Sequence, residues 1–191
     1  PRIVTGTYAA RVLGTTPADQ AEDMIALGQS GPAPMKRSTS LATASPSRQL
    51  DTFIRRFDPA IRKLVREARA KLRRKLPTAI ELVYDNYNAL AIGFAASERM
   101  SDTIVSLAVY ARGVNLYFIY GAALADPHHL LLGSGNQGRF VRLESAATLD
   151  RREIDELLTA AIKESETPLP RSGRGYVVIK SVSQKQRRRR P

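Results

Sequence analysis

Residues 103–120 read Thr103-Ile104-Val105-Ser106-Leu107-Ala108-Val109-Tyr110-Ala111-Arg112-Gly113-Val114-Asn115-Leu116-Tyr117-Phe118-Ile119-Tyr120. Two runs rich in Val, Ile, Tyr and Phe flank a short break at Arg112-Gly113. Such residues suit a pleated, half-buried surface, and Gly113 can supply the positive φ of a tight hairpin turn. Val114, Leu116, Phe118 and Tyr120 alternate with Asn115, Tyr117 and Ile119, so one face is the more securely buried. Ile80–Tyr87 and Ala89–Ala96 upstream, and Arg139–Glu144 downstream, read the same way. Neighbours joined by short connections run antiparallel. The expectation is a five-stranded antiparallel sheet.

Helices flank that sheet. Leu50, Phe53, Ile54 and Phe57 recur at helical spacing, and Asp58-Pro59 ends one helix and starts another. In the second helix Ile61, Leu64, Val65, Ala68 and Leu72 form one apolar stripe, closed by Leu76-Pro77. Asp126-Pro127 opens a short helix or turn ending at Gly133. Asp150 with Glu153 resembles a capping box ahead of a final helix, whose apolar face is Ile154, Leu157, Leu158, Ala161 and Ile162. Both sets of helices pack on one face, which makes the class α+β.

The chain of 191 residues suits one domain with tails. Residues 1–46 read as a disordered N-terminal extension. Met35 is a candidate initiator, with a disordered native arm as the alternative. The domain proper spans 47–166. A Pro/Gly-rich linker then leads into a basic tail, 167–191, where Tyr176–Val182 reads as a short strand able to cover a sheet edge and Gln186-Arg187-Arg188-Arg189-Arg190-Pro191 reads as disordered. Cysteine is absent, which excludes disulfide scaffolds, thiolate zinc sites and cysteine nucleophiles. With no apolar run long enough to span a bilayer and no signal-peptide pattern, the expected location is the cytoplasm.

The net charge of +12 is concentrated. Residues 61–76 carry eight Lys/Arg against Glu67 alone, and residues 167–191 carry eight Lys/Arg and no acid, leaving the body slightly acidic.

The run Leu76–Lys163 resembles the YdhG-like family of bacterial domains of unknown function. The carrying motifs are Leu82-Val83-Tyr84-Asp85-Asn86-Tyr87-Asn88-Ala89-Leu90, Leu107-Ala108-Val109-Tyr110 and Val114-Asn115-Leu116-Tyr117-Phe118. Gly133-Ser134-Gly135-Asn136-Gln137, Arg142-Leu143-Glu144-Ser145-Ala146-Ala147 and the tail Val178-Ile179-Lys180-Ser181-Val182-Ser183 complete the set. The resemblance implies a frataxin-like α/β sandwich. It also brings the iron-chaperone role described for some of the wider family, but the corresponding helix here presents arginines where frataxins present carboxylates. Like charge repels a hard cation that needs oxygen ligands.

Arg62, Arg66, Arg69 and Arg73 fall within a stripe about 60° wide on the second helix. An uncompensated arginine ridge suits phosphates, nucleic acid or an acidic protein surface, and the arginine tail adds salt-dependent attraction to polyanions. A second anion candidate is the loop Gly133–Gly138, spelled G-x-G-x-x-G, with Gly135 beside Arg139 and Arg142. It precedes a strand rather than opening a helix, so it is no dinucleotide fingerprint. Tyr84, Asn86, Tyr87, Asn88 and Tyr117 form a candidate small-ligand lining. His128 and His129 are adjacent and cannot easily share a metal, so no metal site or cofactor is expected. Asp85 and Asp102 would need to meet to act as an acid/base pair, and no Gly-x-Ser-x-Gly elbow occurs. The expectation is a non-enzymatic binding module for an anionic partner or ligand, with a small-molecule-binding or iron-chaperone protein as the alternative and an enzyme as the weaker class.

Overall fold

The computed structural model describes residues 44–190. The N-terminal extension and Met35 lie outside the described residues, apart from positions 44–46. Among the described residues three helices, α1 (Pro46–Arg55), α2 (Pro59–Lys75) and α3 (Arg152–Lys163), accompany six strands. These are β1 (Ile80–Asp85), β2 (Leu90–Ala95), β3 (Thr103–Tyr110), β4 (Gly113–Phe118), β5 (Arg139–Leu143) and β6 (Val177–Val182). The sheet order is β5-β4-β3-β2-β1-β6. Strands β1 to β5 pair antiparallel, whereas β6 runs parallel to β1.

The fold is therefore α+β with a mixed six-stranded sheet, which corrects the expectation of five antiparallel strands. The cause is where the linker delivers the chain. Gly175 N–H donates to the Pro77 carbonyl (2.9 Å) and Glu81 N–H to the Tyr176 carbonyl (2.8 Å), so β6 enters level with the start of β1 and runs alongside it. A Cβ on Gly175 would sit 1.8 Å from the Ala79 carbonyl oxygen, an approach only glycine permits. Val83 pairs with Ile179 and the next residue, Tyr84, with Ser181, so Lys180 forms a bulge.

The helices lie on one sheet face. Leu50, Phe53 and Ile54 of α1, Val65, Ala68 and Leu72 of α2, and Ile154, Leu157 and Leu158 of α3 are buried against Val83, Ile92, Leu107, Leu116 and Val141. Each trio follows the helical repeat, which is why one stripe per helix suffices to cover the sheet.

Three local expectations are corrected. Tyr110 pairs with Gly113, so the β3–β4 loop is Ala111-Arg112 and Gly113 belongs to the strand. Gly113 needs no positive φ there; the left-handed residues among those described are His129, Gly133 and Gly173. Asp58 occupies the N-cap position of α2, yet its carboxylate makes no capping bond. Asp150 does not cap α3 either: it closes a 3-10 turn (Ala146–Asp150), and Arg151 holds the cap position. The Asp150 carboxylate instead accepts from Lys71 of α2, and that hydrogen bond holds its carboxyl below the ordinary range.

Candidate anion-binding surface and the anchored tail

The arginine stripe of α2 divides into two halves. Arg69 donates through Nε and Nη2 to both Glu81 oxygens, and Arg73 donates to the same carboxylate and to the Gly175 carbonyl (3.3 Å). Glu81 is 1% exposed. The expected uncompensated ridge is thus compensated only in part, two of its four guanidiniums sharing one carboxylate, because Glu81 points from β1 toward the last turns of α2. Arg62 and Arg66 have no carboxylate partner among the described residues. Arg69 and Arg73 sit over the start of β1, while Arg56, just ahead of α2, reaches Asp85 at its end. The helix consequently runs antiparallel to β1, and Arg62 and Arg66 lie toward Asp85.

That end of the sheet receives the C-terminal tail. The expectation of a disordered arginine run is corrected for Gln186–Arg190, which folds back across the β1–β2 turn. Arg187 N–H donates to the Tyr87 carbonyl (2.9 Å), and Arg190 reaches the carbonyls of Arg56 (3.3 Å) and Arg55 (3.4 Å). Arg189 is 5% exposed. Its Nη2 donates to Asp85 Oδ1 (2.9 Å), to the Asn86 carbonyl and, at 3.4 Å, to the Ala89 carbonyl. Its Cζ lies 5.4 Å from the centre of the Phe57 ring. Asp85 Oδ2 accepts from Arg56 Nη1 (2.8 Å) and from Gln186 Nε2. Burial lowers the affinity of the Arg189 guanidinium for its proton, opposed by the Asp85 charge. With Arg189 seated, Arg187, Arg188 and Arg190 are exposed.

The remaining candidates do not join this surface. Arg139 Nη1 donates to the carbonyls of Gly135 and Gly138 (2.7 Å for the latter), so the glycine loop offers acceptors to its own arginine. Arg139 and Arg142 lie on β5, at the sheet edge opposite β6. The seven expected anion-binding residues therefore do not form one site. Among the expected ligand-lining residues, Asn86 and Tyr87 lend their carbonyls to the tail, and Asn88 lies in the same turn. Tyr84 and Tyr117 are on β1 and β4, three strand spacings or roughly 14 Å apart across the sheet and two residues out of line along it. Register places Ala91, Gly93, Ser106 and Ala108 between them. Burial pushes the Tyr84 phenol up. Tyr117 packs with Ala108 and Phe140, and its ring leaves no space for a Cβ on Gly138.

Asp85 and Asp102 are at opposite ends of the sheet, since β1 and β3 point the same way. Asp102 accepts from Ser97 Oγ and from Arg99 Nε (3.1 Å). The Ser97 hydroxyl, then Arg99, holds its carboxyl below the ordinary aspartate range. A depressed folded value stabilises the fold above the unfolded value and loses that contribution as pH falls through the folded one. Asp102→Asn is therefore expected to flatten the acid limb of the stability–pH profile, measured by urea unfolding from neutral to acid pH. His128 pairs with Glu156 (3.2 Å), and among the described residues no group of three or more His, Asp or Glu converges as a metal site.

Residue pattern gives no anchoring role to Arg56, Phe57, Glu81, Gln186 or Arg189; Phe57 reads only as an apolar helix position and Arg189 only as part of a basic tail. A signal exists for the acids that gather them: Glu81 and Asp85 lie inside an otherwise apolar strand, and a buried carboxylate demands a cation. No protein-family model, curated protein or solved structure matches the chain.

Proposed function

We propose that the chain is a cytoplasmic YdhG-like domain of frataxin-like kind that acts as a non-enzymatic binding module for an anionic partner. One observation carries the reading. The arginine tail is tied down by Arg189, so Arg187 and Arg188 are presented from a fixed frame, with the exposed Arg190 held beside them on the carbonyls of Arg55 and Arg56. A preorganised guanidinium array loses less entropy on meeting phosphates or carboxylates than a free tail would. Helices confined to one face of the sheet support the frataxin-like description, with β6 as an addition to the five-stranded core.

Fluorescence anisotropy with labelled heparin or duplex DNA tests the proposal. Binding is expected to weaken linearly on a log–log salt plot. Arg187→Ala/Arg188→Ala/Arg190→Ala should reduce the slope by about 2–3, at roughly 0.9 for each phosphate no longer neutralised. No binding by the wild-type chain at low salt, or an unchanged slope in the variant, overturns it.

A further inference from the structure

We propose that the pocket beneath the β1–β2 turn is a guanidinium socket, a site that takes one arginine side chain and is filled in cis by Arg189. The site stands whether or not the exposed arginines meet a polyanion.

The pocket offers acceptors and an aromatic plate. Asp85 Oδ1 and the carbonyls of Asn86 and Ala89 converge on a single nitrogen, Nη2, and the Phe57 ring lies beside the guanidinium carbon. Carbonyls cannot lose their acceptor character with pH, and Asp85 is fixed from behind by Arg56 and Gln186. A planar, weakly hydrated cation fits such a plate; a compact ammonium with a tight water shell fits it less well. Arg56 repeats the device, with its guanidinium carbon 5.1 Å from the Phe53 ring centre. Asp85 thus stands between two arginine-on-phenylalanine pairs.

The resident uses only part of its capacity. Nε and Nη1 of Arg189 are buried with no hydrogen-bond partner. Two buried donors left unmade lower the net gain from seating an arginine, so the hold rests on the acceptors around Nη2 and on the Phe57 ring. An arginine presented by another peptide would meet the same acceptors and compete with Arg189 for them.

Chemical rescue of the full chain tests this. Arg189→Ala should leave Asp85, the two carbonyls and Phe57 in place and vacate the socket. Ethylguanidinium at roughly 50 mM is expected to raise the melting temperature of Arg189→Ala saturably, by about 3–6 °C. Butylammonium should give under half that shift, and neither probe should stabilise the wild-type chain. Arg189→Ala/Asp85→Asn should show no rescue. If Arg189→Ala does not fold alone, refolding with and without ethylguanidinium asks the same question, and folding that requires the probe supports the socket. The proposal is overturned by no saturable shift, by equal shifts with butylammonium or in the wild-type chain, by rescue of the double variant, or by failure to refold even with the probe.

Discussion

Arg69→Ala/Arg73→Ala is expected to destabilise the fold by about 3–5 kcal/mol, because it strands a buried carboxylate without a cation. Glu81 is 1% exposed, while the Arg69 and Arg73 side chains retain 19% and 30% exposure. The asymmetry sets the order of effects. Removing the acid leaves two arginines that can turn toward water, so Glu81→Gln should cost about 1–2 kcal/mol. Either single arginine variant should fall below the double, since the remaining guanidinium still holds the carboxylate, Arg69 at both oxygens and Arg73 at one. The exposed bridges Lys71–Asp150 and Lys75–Asp155 should each be worth under about 1 kcal/mol, as surface pairs generally are. Urea unfolding followed by far-UV circular dichroism measures all of these. A Glu81→Gln loss as large as the double arginine loss would show that isolating the arginines costs as much as isolating the carboxylate, against the order expected from their exposure.

Asp85→Ala is the second large effect, about 3–5 kcal/mol, for the complementary reason: it leaves a buried cation uncompensated. The Arg189 side chain is only 4% exposed, and Asp85 is the carboxylate it meets. Removing the acid also frees Gln186 and Arg56 from the oxygen that gathers them. Arg189→Ala should cost less than Asp85→Ala, because Asp85 keeps its bonds from Arg56 and Gln186. Limited trypsin digestion offers an independent readout. Cleavage after Arg187 and Arg188 should accelerate in Asp85→Ala, since the tail loses its anchor, and should remain near the wild-type rate in Arg69→Ala/Arg73→Ala wherever that variant is still folded. Equal acceleration in both folded variants would mean that the tail is held by global stability and not by Asp85.

The contrast between these two ion pairs shows what is legible from residue order. Strands β1 to β5 and the buried stripes of all three helices follow from periodicities of two and 3.6, which are local properties. The arginine stripe is visible for the same reason. What faces the stripe is not, because Glu81 meets Arg69 only after α2 folds onto the sheet. Direction is equally hidden for β6. A strand arriving through a Pro/Gly-rich linker carries no mark of which edge it joins or which way it runs; the Gly175–Pro77 and Tyr176–Glu81 hydrogen bonds decide that. The tail is the least legible part. Four consecutive arginines have the composition of a solvated chain, and only a carboxylate 104 residues away in sequence makes one of them an anchor. The turn at Arg112-Gly113 shifts by one residue because register belongs to the pair of strands and not to the glycine.

The parallel partnership of β6 with β1 also has a timetable. Glu81 pairs with Val177, so the outer edge of β1 stays uncovered until nearly a hundred further residues have been made. At the usual pace of synthesis that interval lasts about 5–20 s. During it the nascent sheet displays unsatisfied amide and carbonyl groups along its first strand, with Glu81 already shielded by α2 but Asp85 still lacking Arg189. A chain stalled before that stretch emerges would be a template for unwanted strand addition, and this is when an escorting chaperone would matter most.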